Sequence, residues 1–195
     1  MKTLADARNW YEATKRSLAR LRRLGDKHWA DASLSDASIW QDDYFRMLEA
    51  ADIVAETTVS LKPIEDLAVV VLFSVFESHV RDYLLELIGP EAKAIANPIL
   101  KKAADDAIQG VQERSFYLRV LEPLKKQGRV SADLVTQVDQ VRDYRNWVAH
   151  GRRDAPTNNV TPELAYERLA EFLAALGIST ESEFEQAGPS GAAAE

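Results

Sequence analysis

The stretch "RNWVAHGRR" sets Arg145, Asn146 and His150 close together, with Arg152 and Arg153 just beyond. An unperturbed histidine titrates at about pH 6.5, so His150 can take or give a proton near neutrality. Arg145 offers a rigid fork of donors to anionic oxygens such as those of phosphate, and can stabilise charge building on them. Asn146 can orient a ligand oxygen or the imidazole without titrating. Arg142, one turn earlier, joins Arg152 and Arg153 as a candidate contact to an anionic substrate. The polar loop "GRRDAPTNNV" starts beside His150 and is a natural place for such contacts.

These side chains must be positioned by the segment "SADLVTQVDQVRDYRNWVAHG", which reads as one helix with Ser131 as N-cap and Gly151 just past its end. At about 100° per residue, Leu134, Val138, Val141 and Val148 form an apolar stripe. Arg145 falls in the middle of it, and Trp147 points away. A guanidinium in that stripe must meet a carboxylate, an anion or a partner chain, because a buried unpaired charge is costly. On an ideal helix His150 lies about 140° round from Arg145. The two converge on one cleft only if the last turn loosens or a second chain supplies one of them. The plainer alternative pairs Arg145 with a core carboxylate and leaves His150 as a cation at a helix end.

Every long segment reads as helix. Leu4, Tyr11, Leu18 and Leu21 recur at helical spacing, with Gly25 as a stop. Ser35 or Asp36 can cap a second helix that turns Trp40, Tyr44 and Met47 inward. Pro63 suits the first turn of a third, which runs to about Ile88 before Gly89-Pro90 breaks it. Shorter helices near Pro98–Gln109 and Glu113–Lys126 are each closed by a glycine. Thr161-Pro162 opens the last helix, ending at Gly177. No useful period-two alternation occurs, so the expectation is an all-α fold: a single bundle of about five to seven helices. The expected organisation is a basic N-terminal helix (1–30), a helical bundle (31–177) and a flexible acidic tail (178–195).

Composition narrows the chemistry. The chain has 195 residues and no cysteine, which excludes disulfides, thiolate metal sites and cysteine nucleophiles. Its formal charge of −7 argues against a general nucleic-acid coat. The first thirty residues are basic, however, so an acidic whole can still present a basic cleft. No His/Asp/Glu cluster has convincing ligand spacing, so no metal and no cofactor is expected. The N-terminus lacks the apolar core of a signal peptide, and "LAVVVLFSVF" is too short to span a bilayer. A cytoplasmic protein with no membrane association is the expectation.

"RNWVAHG" resembles the R-N-x-x-x-H signature of the HEPN superfamily (higher eukaryotes and prokaryotes nucleotide-binding), and "VLFSVFESHVRDYLLEL" is similar to that family's apolar helix bearing a mid-course acid. The resemblance covers residues 36–176. It implies a metal-independent endoribonuclease in which the RNA 2′-hydroxyl attacks, leaving a cyclic phosphate and a 5′-hydroxyl. By position, Arg145 and His150 match the catalytic arginine and histidine, Asn146 the polar residue between them, and Glu77 the acid that would hold Arg145 in place. Glu77 also precedes Arg81 by four residues, which an ordinary ion pair explains equally well. The resemblance further implies a homodimer whose two motif helices share one cleft. It points to RNA as substrate and to a role as toxin or abortive-infection, antiviral-defence effector, with an antitoxin or other partner protein. One subgroup of such toxins carries a tyrosine two residues after the histidine; here that position is Arg152. The alternative function is a non-catalytic HEPN-like module that binds a nucleotide or dimerises.

Overall fold

The computed structural model describes residues 1–35, 43, 47–152, 156 and 158–181. Among them are six α-helices and no strand: α1 (Leu4–Ser35), α2 (Ala50–Ala94), α3 (Pro98–Glu113), α4 (Glu122–Lys126), α5 (Ala132–Ala149) and α6 (Pro162–Ala175). A π-helical turn, Tyr117–Leu121, leads directly into α4. The fold class is therefore all-α, as the periodicity implied. No described helix is long and apolar enough to cross a membrane. Asp36, Trp40, Tyr44 and Arg153, together with positions 182–195 of the acidic tail, lie outside the described residues.

Four expected helix boundaries fall inside longer helices. Gly25 lies inside α1, which runs on to Ser35. Pro63 and Gly89-Pro90 both lie inside α2. A proline in a helix interior costs about 3 kcal/mol, partly through the carbonyl four residues back that loses its donor. Those carbonyls belong to Val59 and Glu86, both exposed residues, so water can replace the lost bond. Gly110 likewise lies within α3 rather than closing it.

Local chemistry does set the other ends. Asn97 accepts the Ile99 and Leu100 N–H groups at 2.9 and 3.3 Å, with Pro98 following as the first helical residue. Ser131 Oγ accepts from Leu134 N at 3.1 Å, and Thr161 Oγ1 from Leu164 N at 3.2 Å. Thr3 and Asp6 cap α1 reciprocally: Thr3 Oγ1 accepts the Asp6 N–H at 3.1 Å, and the Asp6 carboxylate accepts the Thr3 N–H at 3.2 Å.

The chain divides into two units, Met1–Arg8 with Val69–Glu195, and Asn9–Ala68. The first holds one continuous apolar core. Phe76, fully buried, meets Phe73, Phe116 and Phe172 at ring-centroid distances of 5.8, 5.9 and 5.3 Å, the last two edge-on. Leu72, Val80, Leu121, Val138, Val141 and Leu169 fill the space around them. Leu4 and Ala7 are buried in the same core. Ile178, expected to begin the mobile tail, packs against it as well, and Ala5 N–H donates to the Thr180 carbonyl at 3.3 Å.

In the second unit, α1 and the start of α2 approach closely. A Cβ on Gly25 would sit 3.2 Å from the Ala50 carbonyl oxygen and from Ile53. The glycine therefore permits helix contact instead of ending a helix. Met47, expected inward, is exposed. Asp66 is buried and pairs with Lys62 Nζ at 3.0 Å.

Candidate functional site

Helix α5 carries the motif, and its C-terminus is tightly specified. Its last turn stays helical, with His150 N–H donating to the Asn146 carbonyl at 2.9 Å. Gly151 N–H then bonds the Val148 carbonyl at 3.2 Å and Arg152 N–H the Trp147 carbonyl at 3.0 Å, the paired bonds of a Schellman stop. Gly151 has φ +80° and Arg152 φ +57°, so two successive residues occupy the left-handed region. Gly151→Ala should destabilise by about 1–2 kcal/mol through the left-handed Cβ clash, read as a lower urea midpoint. An unchanged midpoint would mean that the turn is not held in this conformation.

Arg145 is half-buried in the expected stripe, between Val141 and Val148. Its Nη1 donates to Asn146 Oδ1 at 3.1 Å, and its guanidinium lies 5.9 Å from the Phe73 ring centroid. Its Nε is buried without a hydrogen-bond partner. Among the described residues no carboxylate comes within ion-pairing distance of Arg145, so the plainer alternative of a core carboxylate partner finds no support among them. Trp147 does not point away: it packs against the core, 5.4 Å from the Tyr144 ring. The buried face of α5 is broader than the apolar stripe and takes in Tyr144 as well.

Arg145 and Asn146 open onto a cavity of about 250 Å³. Phe73, Glu77 and Arg81 of α2 form one wall, Arg114, Ser115 and Phe116 of the α3–π junction another, and Arg142 completes the third with the motif pair. Glu77 Oε1 is held by Arg81, through Nε at 3.0 Å and Nη2 at 2.5 Å. Arg81 also donates to the Val111 carbonyl and, at 3.2 Å, to the Arg114 carbonyl, closing orphan carbonyls at the end of α3. Glu77 thus lines the same cavity as Arg145 but bonds to Arg81.

Arg142 pairs with Asp139 at 2.9 Å and Asp143 at 3.0 Å, and its guanidinium lies 5.0 Å from the Tyr117 ring centroid. Burial pushes the Asp139 carboxyl above its ordinary range; Arg142 opposes that shift and Asp143 adds to it. The Arg142 contact lacks hydrogen-bond alignment, since Asp139 Oδ1 has no hydrogen-bond partner, and so burial wins. A carboxyl raised on folding contributes stability in acid that is lost as pH rises through its folded value. Asp139→Asn should therefore be at least as stable as the parent near neutral pH, with the difference shrinking in acid. Thermal melts across pH would refute this if the variant were less stable at neutrality.

The fold brings together Arg145, Asn146, Arg142 and Glu77. It leaves His150 exposed at the C-cap of α5 and outside the cavity, and Arg152 exposed with its guanidinium 5.9 Å from the Trp147 ring. Arg114 and Ser115 were not anticipated. They lie some thirty residues away in sequence, and their only local signal is a short polar run between buried Val111 and Phe116. His79, which the resemblance does not use, bonds through Nε2 to the Lys2 carbonyl at 2.7 Å.

A scan against protein-family models, a search of curated proteins and a search of solved structures each gave no match.

Proposed function

We propose that this chain is a HEPN-type, metal-independent endoribonuclease that works as a homodimer. The observation carrying the proposal is Arg145: a half-buried guanidinium with no carboxylate partner among the described residues, five residues before an exposed histidine. Because the last turn of α5 keeps its helical bonds, His150 does not swing toward Arg145 within one chain. A second copy related by a two-fold axis could place its own motif helix against the first.

In that arrangement His150 of one copy accepts the proton of the RNA 2′-hydroxyl, and the oxygen attacks the adjacent phosphorus. The bond from phosphorus to the 5′-oxygen breaks, and that oxygen takes a proton from the protonated His150 of the other copy. Arg145 neutralises charge on the non-bridging oxygens. The products are a 2′,3′-cyclic phosphate and a 5′-hydroxyl. By analogy with the family, such activity serves a toxin or abortive-infection effector acting on RNA in the cytoplasm, restrained by an antitoxin or other partner.

End-group analysis of RNA incubated with the purified chain in EDTA tests the chemistry. Cyclic-phosphate and 5′-hydroxyl ends are expected; 5′-phosphate ends, or no cleavage, would reject it. A second reading is a non-catalytic nucleotide-binding or dimerisation module, favoured by the position of His150 outside the cavity. Its signature is nucleotide binding that depends on Arg145 with no cyclic-phosphate product.

A further inference from the structure

The donors around the α2–α5 cavity are unevenly neutralised. Arg81 is matched by Glu77, and Arg142 by Asp139 and Asp143. Arg145 and Arg114 have no carboxylate partner among the described residues. The Arg114 backbone is anchored through its carbonyl by Arg81, while its exposed guanidinium makes no hydrogen bond among the described residues. Ser115 Oγ accepts weakly from Leu118 N at 3.5 Å, which leaves its O–H able to donate. Asn146 Oδ1 is occupied by Arg145, so its amide NH₂ is the end left to offer.

The free groups are thus donors, two of them cationic, converging from separate helices. At about 250 Å³ the cavity is smaller than the roughly 300–1,000 Å³ of sites that enclose a whole small molecule. It suits one compact anionic group. Two unmatched guanidinium groups balance a dianion, and guanidinium forks fit tetrahedral phosphate oxygens.

We propose that this cavity is a phosphate-dianion site, built by Arg114 and Ser115 with Arg145 and Asn146, that holds a non-scissile phosphate group: free phosphate or the phosphomonoester end of an RNA. The exposed His150 lies outside it, so phosphate bound there is not positioned for proton transfer. The site shares Arg145 with the proposed cleavage step, so it is tested through Arg114, which that step does not use, and its failure is thereby distinguishable from failure of the cleavage reading.

The test is titration of the full chain with inorganic phosphate at fixed ionic strength, followed by calorimetry. Arg114→Ala, an exposed change that spares the core, should weaken binding by about ten- to a hundredfold, the range for hydrogen bonds to charged groups. Arg114→Lys should fall between. Arg129→Ala removes an equal charge from an exposed position outside the cavity and should bind as the parent does. A parent chain that takes up no phosphate, or equal weakening by Arg114→Ala and Arg129→Ala, would overturn the proposal. Paired 2′-O-methyl oligonucleotides, one 5′-phosphorylated and one 5′-hydroxyl, separate the sources. Tighter, Arg114-dependent binding of the phosphorylated strand identifies an RNA end. Equal binding of the two, with inorganic phosphate still Arg114-dependent, identifies free phosphate; either result supports the site.

Discussion

His150→Ala is expected to slow RNA cleavage by about 10²–10⁴-fold, the usual contribution of a positioned proton-transfer group. It should do so without shifting the unfolding transition. The His150 side chain is exposed, and the bonds that end α5 at this position come from its backbone N–H, which alanine retains. Loss of activity would therefore report chemistry and not collapse of the helix. Because one imidazole must enter the step neutral and the other protonated, the parent pH–rate profile should be bell-shaped. A variant that cleaves at the parental rate, or one that loses activity only in proportion to lost stability, would remove His150 from the mechanism.

The largest effect on stability should come from Phe76→Ala, at about 3–5 kcal/mol. Phe76 is fully buried and joins three other rings contributed by α2, by the residue ahead of the π turn and by α6. Removing it opens a cavity that these surroundings can only partly close. Phe116 directly follows Ser115 and lines the arginine-rich cavity, so loosening the ring cluster should also weaken phosphate binding. Urea unfolding gives the first quantity. A loss under about 1 kcal/mol, well below the range for such truncations, would show that the cluster is not the centre of the core.

How far the sequence speaks for itself depends on the range of the interaction. Ser131, Thr161, Gly151 and Gly177 were legible because a cap or a left-handed stop is written in one or two residues. Gly25 and Pro63 were misread for a related reason. Their local preferences point to a helix end, but glycine costs only about 1 kcal/mol in a helix, and at Gly25 the close approach of Ala50 and Ile53 gives the missing side chain a use. Periodicity alone puts Arg145 in an apolar stripe but does not choose among a carboxylate, an anion and a partner chain. That choice turns on what faces the stripe from α2 and α3, which periodicity within α5 does not encode. Arg114 and Ser115 were invisible for the same reason: their relation to Arg145 exists only once three helices are packed.

The contact between Ala5 and Thr180 has a bearing on how the chain is made. Leu4 and Ala7 belong to a core whose other members begin at Val69 and extend to Leu176, with Ile178 packed on its edge. At roughly 5–20 residues per second, the N-terminal residues emerge from a ribosome on the order of ten seconds or more before their last partners. The first unit can then close only once residues as far as Ile178 have left the ribosome, which leaves the growing polypeptide exposed to chaperones and proteases until that point.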